Sequence, residues 1–499
     1  MKKRILFVGS MTIFLFLAAC GKAAEGSAVD GSVALDSDDP LSIYAANLIP
    51  QEQTSLADFP TATRYELDLA LDEPYASIAG QEKITYWNNE EVALSEIYMR
   101  MFPNNSGDLM QVTLLKVNGE ESEFTVEFNN TALRVDLPEP LQPAEMLTLE
   151  LSYTVEVPTD FGGNYGLFSY IDDVLALDQV YCIIPVYDDE GWNVETPPPN
   201  GDMIYADPSF FTVTMHAPAD LLVAATGIIV DEQEEDGVRT QTFAAGPVRD
   251  FYMAASTVYE TLTQQVGETL VTSYFPKGST KGGQHVLTVG VNALEVYNEI
   301  FGTYPYTELD LVGTPMQAGG MEYSGILAMT TDYYDPDAVY FGMPAFSLLE
   351  SATAHEVAHE WFFNMVMSDQ LDEPWIDEGM AQYLTSLYYE YTFGPSAAAD
   401  YVGSWNYRWD RVEFLPIPIG MPVREYVDNQ YGAIIYGRAP LFIHDLRQKM
   451  GDEVFFDFLR ALFEEHKWGI ATTESFRALA EEACDCDLQQ AFANWVYPR

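Results

Sequence analysis

Cysteine is scarce, with four in 499 residues, too few for a disulfide framework, so stability must come from packing, with a bound metal as a further staple. Positive charge is scarce too. Lysine and arginine number 23 against 77 aspartates and glutamates, a formal net charge of −54 that phosphate backbones and anionic headgroups repel, so nucleic acid is not expected as a partner. Histidine occurs six times. Long apolar runs are confined to one place near the N-terminus, and no internal repeat is present. Buriable surface, by contrast, is plentiful: apolar residues make up 48% and aromatics 13%, enough to offset chain entropy over two or three domains of about 150 residues each.

The apolar run from Ile5 to Leu17 follows Lys2, Lys3 and Arg4 and covers 13 residues, short of the roughly 20 that span a bilayer, so it reads as a secretory leader. Leu17, Ala18 and Ala19 before Cys20 and Gly21 resemble a bacterial lipobox. That resemblance implies that residues 1–20 are a lipoprotein signal peptide and that Cys20 carries a lipid. The protein is then exported and held at the cell surface or on a periplasm-facing membrane. An ordinary leader that happens to contain a cysteine is the alternative. Residues 21–60, rich in Gly, Ala, Ser and Asp near their start, are expected to form a flexible tether.

From Thr61 the pattern has period two. Tyr65, Leu67, Leu69 and Leu71 alternate with other positions, as do Leu147, Leu149, Leu151, Tyr153 and Val155, and Phe211, Val213 and Met215. Half-buried antiparallel strands are expected, and residues 61–256 read as a β-sandwich domain. A short strand region then runs to Phe275. Helix-length segments follow at Leu287 to Ile300, Phe346 to Met367, Ile376 to Tyr391, Ala439 to Met450, Glu453 to Glu465 and Glu474 to Ala483. The fold class is therefore α+β, with a mainly helical second domain over residues 257–499.

The strongest chemical signal is His355-Glu356-Val357-Ala358-His359. On a helix the two histidines stand one turn apart on one face, within reach of a single Zn²⁺, while Glu356 points toward a water at the metal. A chance His-Glu-x-x-His at this composition is expected only about 0.006 times. A catalytic zinc takes three protein ligands and leaves one position open. Glu378, 18 residues beyond His359 in Trp375-Ile376-Asp377-Glu378-Gly379, is the candidate third. Taken alone, it is better read as an ordinary first-turn glutamate favoured by the helix dipole.

The paired signals His355 to Trp361 and Glu378, preceded by Gly319-Gly320-Met321-Glu322-Tyr323, resemble the M1 family of zinc aminopeptidases, the gluzincins. Phe301-Gly302-Thr303-Tyr304-Pro305-Tyr306 and Glu373-Pro374-Trp375 support the match. The resemblance implies a saddle-like N-terminal β domain followed by a thermolysin-like catalytic domain. It also implies one zinc per chain on His355, His359 and Glu378, with Glu356 as general base. Tyr436 then serves as the oxyanion donor, with Tyr431 as fallback. Glu322, with Gly320 and Met321 in the same motif, anchors the α-amine of peptide substrates with a free N-terminus. Tyr323 stands where the family usually has asparagine, which puts substrate range in question, and Gln179 is a candidate second amine-binding group. The large helical C-terminal domain of longer members is not expected after Ala491 to Val496. Cys182, Cys484 and Cys486 are read as structural, the last two too close for an easy disulfide. A thermolysin-like endopeptidase, which would need no amine anchor, and a degenerate binding lipoprotein are the competing readings.

Overall fold

Strand Arg64–Leu71 turns Tyr65, Leu67, Leu69 and Leu71 inward, each at most 3% exposed, just as its alternation requires. The computed structural model describes residues 40–196 and 203–497; the leader, Cys20 and the Pro197 to Pro199 run lie outside the described residues. Four strands form the middle of an eight-stranded sheet: Ser209–Pro218, Arg64–Leu71, Ser77–Trp87 and Met146–Glu156, in that order. One pairing departs from expectation. Arg64–Leu71 runs parallel to Ser209–Pro218, with Tyr65 opposite Phe211 and Leu67 opposite Val213. The long intervening chain supplies the crossover that a parallel pair needs, and two inward-facing apolar rows coincide either way, so alternation alone does not report direction. A four-stranded sheet containing Val174–Leu177 and Met253–Ser256, a three-stranded one containing Leu94–Arg100, and the short pair Tyr187–Asp188 with Gly191–Trp192 make up the rest of the described β part.

Sheet membership changes between Ser256 and Tyr259. Strands Tyr259–Val266, Thr269–Pro276, Glu308–Thr314, Ile326–Thr330 and Gly320–Tyr323 form a separate five-stranded sheet in that order, with Gly320–Tyr323 at its edge. Helices α1 (Thr280–Phe301) and α2 (Ala345–His359) pack on it, α3 (Pro374–Phe393) packs on those two helices, and α4 (Pro395–Asp410) packs on α3. The Tyr297 hydroxyl of α1 donates to the Ala354 carbonyl of α2 at 2.9 Å, and Tyr388 of α3 donates to Glu350 of α2 at 3.0 Å. α2 ends at its second histidine, well short of the expected Met367. The apolar run Trp361 to Met367 continues without a proline or glycine, and tertiary pairing of Val366–Met367 with Gly469–Ile470 overrides it. No helix among the described residues is long and apolar enough to cross a membrane.

Two further expectations are corrected. Residues 41–60 belong to the folded body, not to a tether. Leu41, Tyr44, Leu48 and Leu56 are at most 5% exposed, and the Ile49 amide donates to the Pro305 carbonyl at 2.9 Å. Their anchors are too irregularly spaced to register as a pattern. Cys484 and Cys486 are joined in a disulfide with Cα atoms 5.1 Å apart. Asp485 between them adopts the left-handed conformation, φ 45°, which brings the two side chains together where a regular turn would not.

Arg249 closes the seam between the halves. It is fully buried, and its guanidinium donates to the carbonyls of Asn364 at 2.9 Å, Ala206 at 3.3 Å, Met365 at 3.2 Å and Gly469 at 2.7 Å. Its amide donates to Ser324 Oγ at 3.1 Å, and the next side chain, Asp250, accepts from the Ser324 amide at 2.9 Å. Replacing Arg249 by Met would strand several buried carbonyls at about 1–3 kcal/mol each. Arg249→Met should therefore lower stability by on the order of 3 kcal/mol or more, read as a large fall in the urea or thermal midpoint. An unchanged midpoint would show that the seam holds without it.

Candidate active site

The last turn of α2 and the first turn of α3 meet beneath the sheet edge. His355 and His359 present their Nε2 atoms 3.2 Å apart, and Glu378 Oε2 lies 3.0 Å from the first and 3.6 Å from the second. One donor atom of each lies within 4.8 Å of the others, and all three residues are buried. The donor chemistry suits a divalent metal. Glu322, Glu356, Asp377 and Glu378 converge on two imidazoles in a buried space, and two nitrogens with one carboxylate is a zinc set with a side left open. The hydrogen bonds and charges of His355 and His359 outweigh burial and hold Glu378 down at about 2. Burial pushes Glu356 the other way, to about 8.

A second ring of side chains orients the donors, as metal histidines require. The His359 Nδ1 atom is 3.0 Å from the Phe362 carbonyl oxygen and 2.7 Å from Asp377 Oδ1. Gln370 donates to Asp377 Oδ2 at 2.6 Å and reaches Glu322 at 3.4 Å, so one amide ties the metal shell to the motif on the strand. The Gln382 amide lies 3.4 Å from His355 Nδ1, and Tyr401 binds Gln382 at 3.0 Å. Behind the helix, Glu360 accepts from Tyr304 at 2.6 Å, Asn364 at 2.9 Å and the Gly325 amide at 2.9 Å, while burial pushes it up to about 7. Of these, Gln382 was within reach of sequence reasoning, four residues after Glu378 on the same helical face. Gln370 sits in a loop and gives no pattern.

The edge strand divides its residues by period two. Gly320 and Glu322 face α2: a Cβ on Gly320 would come 2.4 Å from Glu356 Oε1, and Glu322 groups with Glu356 and His359 within 4.8 Å. Met321 and Tyr323 pack on the other side with Tyr252, whose ring stacks on Tyr323 at 3.9 Å. The tyrosine in place of asparagine therefore puts no ring among the metal donors. Gln179, from the β part, lines a small pocket with Met321, Glu322, Tyr323 and Phe363, and both polar ends of its buried side chain are without a hydrogen-bond partner. Glu356 Oε2 is likewise buried and unpartnered.

Tyr436 reaches the site from a π-helical turn, Ile434–Arg438, and its hydroxyl contacts Glu378 Oε1. Gly437 lets that turn lie against α4, since a Cβ there would come 2.9 Å from the Trp405 carbonyl. Tyr431 stands one layer out, its ring 5.9 Å from that of Tyr436. Of the eight residues singled out for chemistry, His355, Glu356, His359, Glu378, Tyr436, Glu322 and Gly320 come together at the donor cluster, while Met321 packs on the other face of its strand and lines the small pocket beside Glu322.

A two-histidine, one-glutamate set on paired helices below a sheet edge defines the zinc-metallopeptidase class. Residues 285–495 match the peptidase family M1 domain. Aminopeptidase M1-D of Oryza sativa subsp. japonica is 26% identical over 314 residues, covering 58% of this chain and 35% of that protein. Aminopeptidase 2 of Candida albicans is 21% identical over 474 residues, covering 91% and 48%. The chain thus spans half or less of the length of these curated relatives. The M1 zinc metallopeptidase from Deinococcus radiodurans shares the fold with TM-score 0.61 at 22% identity, covering 88% of this chain and 93% of that one. A mutant of that enzyme bound to a Tyr-Ser-Ala substrate superposes equally, TM-score 0.61.

Because Gly320 leaves the space that the Glu356 carboxylate fills, Gly320→Ala should displace the carboxylate without touching the ligands. Turnover should fall on the order of 10²-fold with zinc content unchanged. Loss of metal would mean that the strand supports the donor set instead.

Proposed function

We propose that this chain is a zinc-dependent aminopeptidase that removes residues from the free N-terminus of peptides, and that it works outside the cell on a lipid anchor at Cys20. The observation that carries the activity is the place of Glu322. Its carboxylate lies among the metal donors, beside Glu356 and His359, in a pocket that Gln179 closes from the β part. A peptide's α-amine is mostly protonated near neutral pH, so a carboxylate there holds an N-terminus one residue from the metal. An endopeptidase gains nothing from that charge, and a binding protein gains nothing from a poised Glu356.

Each side chain then has a task. Zinc on His355, His359 and Glu378 would supply Lewis acidity, polarising the scissile carbonyl and easing a proton from water. Glu356, otherwise unpartnered at Oε2, takes that proton and delivers it to the leaving amine. Tyr436 donates its hydroxyl hydrogen to the carbonyl oxygen as charge gathers there. Glu322 and Gln179 fix the ammonium. The peptide substrate bound by the Deinococcus neighbour supports a peptide in the corresponding cleft. The lipid anchor rests on Lys2 to Gly21 alone.

Acetylating a peptide's N-terminus should make it a poor substrate, and Glu322→Ala should raise KM for free peptides and narrow the gap between free and acetylated forms while zinc is retained. Equal cleavage of both forms by the wild type, at internal bonds, would install the endopeptidase reading in its place. For the anchor, Cys20→Ser should shift the protein from the membrane fraction to the soluble one; unchanged fractionation would remove the lipid from the account.

A further inference from the structure

Arg408 lies on α4, a helix that its composition did not announce. Its guanidinium carbon stands 5.5 Å from the centre of the Tyr436 ring. Several other arginines find counter-charges or carbonyls: Arg424 reaches Asp372 at 2.5 Å, Arg447 reaches Glu390 at 2.7 Å, and Arg249 is satisfied by main-chain oxygens, while, among the described residues, the exposed Arg411 meets only the Tyr407 ring. Among the described residues the half-buried Arg408 guanidinium has no carboxylate and no hydrogen-bond acceptor. Burial works against its charge, with only the more distant fields of Tyr401 and Glu378 in its favour. A desolvated cation without an anion is costly, and a chain with 77 carboxylates could readily have supplied one.

The cleft is therefore polar along its length. Glu322 and Glu356 cluster on the His359 side. Arg408 stands beside Tyr436, and its charge acts on His355 and Glu378. We propose that Arg408 receives the C-terminal carboxylate of the substrate, so that di- and tripeptides with both ends free are the favoured class. This rests on the aminopeptidase reading for the direction in which the peptide lies. The length follows from position. Extended chain advances about 3.3–3.6 Å per residue, and a cation next to the oxyanion donor meets a carboxylate only one or two residues past the scissile bond. A planar guanidinium fork suits that carboxylate bidentately.

The test uses zinc-loaded Glu356→Gln protein, which binds without turnover, and calorimetric titration with leucyl-alanine and leucyl-alaninamide. The free acid should bind on the order of 10-fold more tightly than the amide. Adding Arg408→Gln should bring that ratio to about one, and Arg408→Lys should keep part of it. In the Arg408-containing protein the ratio should also fade as the peptide is lengthened to six residues. Overturning results are an acid-to-amide ratio near one with Arg408 present, a ratio that survives Arg408→Gln, or one that is undiminished at six residues. Should Arg408→Gln fail to fold, the lysine variant and the length series still decide. N-acetyl-leucyl-alanine separates the two readings: a retained preference for acids with no loss on acetylation keeps the carboxylate seat and removes the amine anchor.

Discussion

One buried guanidinium sets the geometry on which the site depends. Arg249 comes directly after the long strand Val238–Val248 of the β part, and the groups it binds belong to three other stretches of chain. They are the segment leaving the metal helix, the strand Gly469–Ile470, and the loop before Ser209–Pro218. Through its amide and through Asp250 it also fixes Ser324, directly after the strand that carries Glu322. Carbonyl oxygens are its partners, so it works by counting unmet acceptors, each expensive if left dry. The consequence is positional: Gln179, donated by the β part, and Glu322, donated by the sheet edge, are held in register with donors on α2 and α3.

That arrangement explains why so much was legible from the chain alone. Helical spacing fixes the mutual placement of His355, Glu356 and His359, and strand alternation fixes that of Gly320 and Glu322, because both periods are geometric facts of the backbone. What was not legible depends on contacts between segments remote in sequence. Gln370, in a loop, bridges Asp377 and Glu322. The helix α4 carries a glycine at Gly403 and buries little besides Trp405, so it shows no apolar stripe to read. Arg408 was missed with it. The parallel pairing of Arg64–Leu71, the early end of α2 and the burial of residues 41–60 were misread for the same reason: local pattern says which face is buried, not against what.

Tyr323, where the resemblance leads one to expect asparagine, shows how far alternation protects a site. A bulky aromatic one residue from Glu322 would be ruinous if it shared the face of Glu322. On the opposite face it stacks on Tyr252 and thickens the floor beneath the strand. The metal donors are untouched, while Tyr323 shares the lining of the small pocket with Gln179 and Glu322.

The same reasoning applies to glycine. At Gly320 the missing Cβ is the space that Glu356 occupies, and at Gly437 it is the space in which a π-helical turn touches α4. Neither glycine is needed for an unusual φ, since neither is among the positive-φ residues. Each marks a close approach: one sets the depth of the proton acceptor, the other the reach of Tyr436. Glu356 and Tyr436 are thus both positioned by absent side chains, the first lying against the Gly320 backbone and the second carried by a turn whose backbone touches that of α4. Close-packed contacts of this kind leave little room for either group to shift, and the chemistry proposed for them needs their separation to be constant.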